Sequence, residues 1–113
     1  MRLTLRSKIH RATVTEANIN YIGSITVDGS LARKAGFWQG EKVLVASVDS
    51  GERLETYISF GKNNSGVVCM NGASARLIKK GEKIIIIGFE LTNKKIKSKN
   101  ILVDEKNKFV KFL

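Results

Sequence analysis

The chain is a succession of short apolar or alternating stretches broken by glycine and polar residues. Residues 2–6, 12–15, 21–27, 42–48, 53–60, 67–70, 83–89 and 100–103 have the period-two or continuous apolar pattern that predicts β-strands. Two stretches depart from it: 30–35 stopped by Gly36, and 73–80 stopped by Gly81. Each pairs a small polar start with a glycine stop, which predicts a single short helix. Strands this short and numerous, with so little helix, predict a mainly β fold closed into a barrel, since closure removes exposed strand edges.

The pattern also repeats. Ser30-Leu-Ala-Arg-Lys-Ala-Gly leads to Gly40-Glu41-Lys42 and an apolar strand, and Ser74-Ala-Arg-Leu-Ile-Lys-Lys leads to Gly81-Glu82-Lys83 and another. A Gly-Glu-Lys turn can recur by chance, but the shared helix before it points to a pseudo-twofold barrel. Four consecutive isoleucines, Ile84 to Ile87, read as a strand buried on both sides, as in a barrel wall covered by a second subunit. Oligomerisation is therefore expected.

Length and composition narrow the class. At 113 residues one domain, 1–113, is expected, and with 42% hydrophobic residues the chain is too apolar for a disordered polycation. No apolar run approaches the about 20 residues of a membrane span, and the start MRLTLRSKIH lacks a signal-like apolar core. A cytoplasmic protein without a membrane partner is expected. Cys69 is the single cysteine, which excludes an internal disulfide and any multi-cysteine metal site.

Lys and Arg number 20 against 10 Asp and Glu, a net charge of +10. Residues 1–23 carry +3, residues 24–92 only +2, and residues 93–113 carry +5, with seven lysines against Asp104 and Glu105. That tail reads as a solvated lysine-rich end. The alternative is a small basic nucleic-acid-binding barrel that uses Phe37, Trp38 and Phe60 as stacking rings. Those aromatics do not alternate with the lysines along a strand, so no nucleic-acid partner is expected.

Phosphate loops, metal-ligand clusters and the Gly-x-Ser-x-Gly elbow are all missing from the sequence. His10 is the only histidine, and a lone histidine is more often structural than catalytic. Tyr21-Ile22-Gly23-Ser24-Ile25 differs, because it places a hydroxyl directly after a glycine within an apolar segment. A Gly-Ser pair usually marks only a turn or bulge. It also allows Ser24 to attack the unhindered Gly23 carbonyl, converting the amide to an ester. Elimination from that ester would cut the chain and leave, after hydrolysis, an N-terminal ketone: a pyruvoyl group, which is a built-in electron sink.

Lys8-Ile-His10-Arg11, Tyr21-Ile-Gly23-Ser24, Gly51-Glu-Arg53-Leu-Glu-Thr56-Tyr57 and Asn71-Gly72-Ala73 occur in this order and at these separations. Together they resemble the bacterial aspartate 1-decarboxylase family over roughly residues 1–90. The resemblance implies a six-stranded double-psi β-barrel that assembles as a homotetramer with active sites between subunits. It implies pyruvoyl-dependent decarboxylation of L-aspartate to β-alanine for pantothenate synthesis, through a Schiff base on Ser24 after cleavage into chains 1–23 and 24–113. Neither a metal nor pyridoxal phosphate is implied.

By the same resemblance, Thr56 and Asn71 assist processing at Gly23 and Ser24. Arg53 grips a substrate carboxylate, a task for which a planar two-pronged cation is suited. A surface salt bridge with Glu52 or Glu55 is the other reading of Arg53. Tyr57 is implied as the proton donor, with strand packing as its other reading. Lys8, Gly72 and Ala73 are implied in substrate binding, and His10 and Tyr21 as pocket lining. The chain departs from the family pattern at Ala46, where many members carry Trp, at Ser74, where they carry a longer run of small residues, and after Asn93, where no match is clear.

Overall fold

The computed structural model describes residues 1–113. In chain order the elements are β1 (Arg2–Thr13), β2 (Glu16–Asn18), β3 (Ser24–Asp28), helix α1 (Gly29–Lys34), β4 (Lys42–Ser47), β5 (Arg53–Gly61), β6 (Val68–Asn71), a 3-10 turn (Gly72–Arg76), β7 (Lys83–Thr92), β8 (Lys99–Val103) and β9 (Phe109–Phe112). The strands hydrogen-bond in the order β2-β6-β3-β5-β4-β7-β1-β8-β9. Only Val14 and Thr15 separate β1 from β2, yet the two strands lie far apart in that order, so the sheet must curl until its ends meet. Thr15 closes the seam: its N–H donates to the Val68 carbonyl at 2.8 Å, and its hydroxyl accepts from the Val68 N–H at 2.9 Å. The result is a mainly β barrel wall of β6-β3-β5-β4-β7-β1, as expected, with β2 at the seam and β8-β9 added beyond β1.

Inside the wall, 20 buried residues form one core cluster that includes Ile9, Ile25, Ile58, Met70, Ile84 and Ile86. Each buried isoleucine contributes about 1.5–3 kcal/mol relative to exposure. Residues 2–6 and 12–15, expected as two strands, join into the single strand β1, which is bent by bulges between Leu5 and Ser7 and between His10 and Ala12. At the second bulge Arg11 takes a left-handed conformation (φ 66°), and the extra residue restores the phase so that Ala12 and Val14 face the core as Ile9 does. The isoleucine run alternates: Ile84 and Ile86 are buried, while Ile85 and Ile87 lie half-buried on the outer face.

The expected second helix, 73–80, is only a 3-10 turn over Gly72–Arg76. Asn71 at its start makes no side-chain cap, and Leu77 and Ile78 both donate to the Ser74 carbonyl, which ends the turn. The repeat is physical. Glu41 accepts the Trp38 N–H at 3.0 Å and Glu82 accepts the Lys79 N–H at 2.6 Å, each three residues back across a positive-φ glycine, Gly40 or Gly81. The lysine-rich tail is part of the wall: β8 runs parallel to β1 and buries Ile101 and Val103. Buried Asn107 donates to the Thr13 and Gly66 carbonyls and accepts the Thr13 N–H. No helix is long and apolar enough to cross a membrane.

Asp28 ties the end of β3 to the rest of the barrel. Its carboxylate caps α1 through Ser30 N–H (2.9 Å) and Leu31 N–H (3.4 Å), and it accepts from Asn64 N–H (3.0 Å) and Gly66 N–H (2.9 Å). Burial alone would push its pKa up, but the backbone donors of Gly66, Asn64, Leu31 and Ser30 outweigh that and hold it below the ordinary 3.8. A carboxylate that is more acidic when folded stabilises the fold above its ordinary pKa, and the contribution fades as pH falls through the folded value. Asp28→Asn should therefore lower stability near neutral pH by about 1–3 kcal/mol. It should also flatten the acid limb below about pH 4, which thermal melts across pH would reveal.

Candidate active site

The segment around Gly23 and Ser24 is positioned by the start of β3. Residues 21–23, expected within a strand, lie outside it, and Tyr21, Ile22 and Gly23 are exposed, Ile22 at 76%. The next residue, Ser24, is only 4% exposed, so the chain passes from solvent into the wall across the Gly23–Ser24 bond. β3 runs antiparallel to β6 with Ser24 opposite Asn71, and Asn71 Nδ2 donates to Ser24 Oγ at 3.0 Å and to Thr26 Oγ1 at 2.9 Å. On its other side the Asn71 carbonyl accepts from Cys69 Sγ at 3.1 Å.

Gly72 lies against this segment. Its φ is +67°, and a Cβ there would stand 2.8 Å from Gly23 Cα and 3.0 Å from Gly23 N. Only glycine allows both the left-handed backbone and this approach. An open cleft of about 250 Å³ is lined by Gly23, Thr56, Asn71, Ala73, Ser74 and Leu77, together with Leu54 and Glu55. Glu55 and Thr56 also line an adjoining hollow with Lys42 and Tyr57. Gly23, Ser24, Thr56, Asn71, Gly72 and Ala73 are thus brought together, with Tyr57 one hollow away.

Arg53, Lys8 and His10 lie elsewhere, whereas the Tyr21 backbone carbonyl stands beside Gly72. On β5, Arg53, Glu55 and Tyr57 are exposed while Leu54, Thr56 and Ile58 turn inward. Strand register sets His10, Ile85, Ala46 and Arg53 in one row across β1-β7-β4-β5, and Lys8, Ile87, Leu44 and Glu55 in the next. At about 4.8 Å between strands, His10 and Arg53 stand roughly 14 Å apart. Arg53 forms no ion pair, and Glu55 pairs instead with Lys42 at 3.0 Å. Burial, then the neighbouring charges of Lys8 and Arg11, lower the His10 pKa, and its Nδ1 is buried without a partner. His10 is therefore a neutral imidazole at pH 7.

Of the rings considered for base stacking, Phe37 is buried in the core and Phe60 lies under the Arg33 guanidinium at 4.9 Å, leaving Trp38 exposed by itself. Thr26 and Cys69 are the members of the Ser24 cluster that sequence reasoning missed. Their alternation with Ser24 and Asn71, at i±2 on two strands, was the available signal.

The structure is thus a small β-barrel that holds a buried serine hydroxyl beside an exposed glycine. The aspartate decarboxylase family model matches residues 1–110, and the chain belongs to that family. It is 50% identical to aspartate 1-decarboxylase from Caldicellulosiruptor bescii over 95% of this chain and 87% of that protein. Similarity of 50% extends to the enzyme of that name from Clostridium botulinum (93% and 76% covered), and of 46% to that from Bacillus velezensis (99% and 91%). The match runs past residue 90 into β9, so the tail after Asn93 shares the family pattern.

The tight approach of Gly72 gives a direct test. Gly72→Ala should displace the 21–23 segment, lower the melting temperature by several degrees for about 1–2 kcal/mol of strain, and slow any change at the Gly23–Ser24 bond as followed by intact mass.

Proposed function

We propose that this chain decarboxylates L-aspartate to β-alanine, using a pyruvoyl group that it makes from Ser24 by cutting its own Gly23–Ser24 bond. The observation that carries the reading is the buried Ser24 hydroxyl, bonded to Asn71, at the point where the chain enters the wall from exposed Gly23. Family membership supports the same reaction, which serves pantothenate synthesis. The cut divides the polypeptide into chains 1–23 and 24–113.

In the cutting reaction, Ser24 Oγ bonds to the Gly23 carbonyl carbon and the C–N bond breaks, giving an ester and a free amine. Thr56, in the same cleft as Gly23, supplies a hydroxyl donor for the charge that develops on the carbonyl oxygen. Loss of the Ser24 Cα proton then breaks the Cβ–Oγ bond, and Gly23 leaves as a carboxylate. The remaining enamine tautomerises, and water replaces its nitrogen as ammonia to leave the ketone.

The site fits such a group: Asn71 directs an N–H donor at the Ser24 side chain, and Gly72, lacking a Cβ, lets the Gly23 backbone lie against it. The pyruvoyl ketone supplies the electron sink for loss of carbon dioxide. Arg53 binds a substrate carboxylate through two parallel N–H donors, and Lys8 adds positive charge for a dianion. Tyr57, beside the cleft, returns a proton to carbon. Ala73 lines the cleft as a substrate contact, Tyr21 borders it beside Gly72, and His10 completes the pocket from outside it.

Within one chain Lys8, His10 and Arg53 do not reach the Ser24 cleft. They share the outer face of β1-β7-β4-β5 with half-buried Ile85 and Ile87 and exposed Leu3 and Phe89. A face both apolar and cationic is suited to burial against another copy, where its cations would meet that copy's cleft. A homotetramer with shared sites would meet that need, and the double-psi topology accords with the pseudo-repeat.

Intact-protein mass spectrometry under denaturing conditions tests the reading. Two fragments that divide after Gly23 are expected, the larger with a ketone start, whereas a Ser24→Ala chain should stay whole and inactive. Arg53→Ala should still be cut but lose about 100-fold in kcat/KM for aspartate. A single wild-type mass that persists on incubation would refute the proposal.

A further inference from the structure

The four polar residues Ser24, Thr26, Cys69 and Asn71 form a rectangle on one face of the β3-β6 pair. Ser24 stands opposite Asn71 and Thr26 opposite Cys69, while Ile25 and Met70 point the other way into the core. Both N–H groups and the side-chain carbonyl of Asn71 find partners within this rectangle. Its two N–H groups serve Ser24 Oγ (3.0 Å) and Thr26 Oγ1 (2.9 Å), and its carbonyl takes the Cys69 thiol (3.1 Å).

The two ends of an asparagine amide are nearly the same shape, so partners alone decide which end faces Ser24. Burial, together with the nearby Glu16 carboxylate, raises the Cys69 pKa, so the thiol is protonated and acts as a donor. Sulfur is a weak acceptor, and turning the amide around would aim its N–H groups at that sulfur in a buried site. Thr26 accepts the second N–H and anchors the amide from the opposite side.

We propose that Cys69 and Thr26 are positioning residues that keep the Asn71 NH2 group directed at Ser24 Oγ, and that this orientation governs how fast the chain is severed between Gly23 and Ser24, at the step that breaks the Cβ–Oγ bond. The inference rests on the self-cutting reading above. So oriented, Asn71 is a donor and does not take the Ser24 proton. Its contribution comes when Oγ gathers charge: as the Cβ–Oγ bond breaks, the electron pair moves onto Oγ, which departs as one oxygen of the Gly23 carboxylate. A preorganised N–H at that oxygen stabilises the step.

The test is a time course of cleavage after cell-free synthesis of the full chain, followed by intact mass, for wild type, Cys69→Ser, Cys69→Val, Thr26→Ser and Thr26→Val. The serine variants retain a hydroxyl and should cut within about threefold of wild type. The valine variants keep the bulk and lose the hydrogen bond, and should cut about tenfold more slowly, or ~1.4 kcal/mol. Melting temperatures monitor folding, and Cys69→Ala and Thr26→Ala take the place of any valine variant that fails to fold. Rescue by serine separates orientation from packing. Valine variants that cut at the wild-type rate, or serine variants as slow as valine, overturn the inference while leaving self-cutting intact. A wild-type chain that is never cut overturns both.

Discussion

The contact on which the site depends is the hydrogen bond from Asn71 to Ser24 Oγ across the β3-β6 pair. It exists only if these antiparallel strands keep their register, because a slip of one residue would turn Ser24 to the opposite face and carry Ile25 out of the core. The register is held at both ends. Asp28 anchors the far end of β3 to Asn64 and Gly66 in the β5-β6 connection, and the glycine backbone at position 72 lies against Gly23 at the near end. The intervening Ile25, Val27, Val68 and Met70 are fully buried, so the slip is opposed by the core as well.

Barrel closure gives the rest of the molecule its relation to that pair. Because β1 continues into β2 after two residues, the strand carrying Lys8 and His10 is joined directly to the seam at β6. One strand therefore contributes Lys8 and His10 to the outer face and Ile9 and Ala12 to the core. The bulge at Arg11 makes this possible by shifting the alternation at the point where the strand must bend. Asn107, far along in sequence, bridges the same corner to Gly66.

The division between the cleft and the outward cationic face follows on β5 from strand alternation. Thr56 and Tyr57 are adjacent in sequence, yet one turns toward the cleft with Gly23 and the other toward solvent beside Lys42. Adjacent residues with roles on opposite faces are natural on a wall that meets its own cleft on one side and a neighbouring surface on the other. Half-buried Ile85, between His10 and Ala46, and Ile87, between Lys8 and Leu44, give that outer face its apolar ground.

Local pattern alone was enough for the β class, the first helix with its Gly36 stop, the two Gly-Glu turns and the Gly23-Ser24 pair, because each depends on residues a few positions apart. Tertiary structure decided the remainder. Asn71 is spent on Ser24, which leaves the turn after it without a side-chain cap, and the predicted helix over 73–80 shrinks to Gly72–Arg76. The lysine tail, polar enough to read as solvated, is drawn into the sheet because Ile101 and Val103 find the core beside β1. The cluster of Ser24, Thr26, Cys69 and Asn71 joins residues more than forty positions apart, and no local periodicity encodes which strands will be neighbours. Which faces alternate is written in the order of residues, whereas which faces meet is settled only when the sheet closes and the core excludes water.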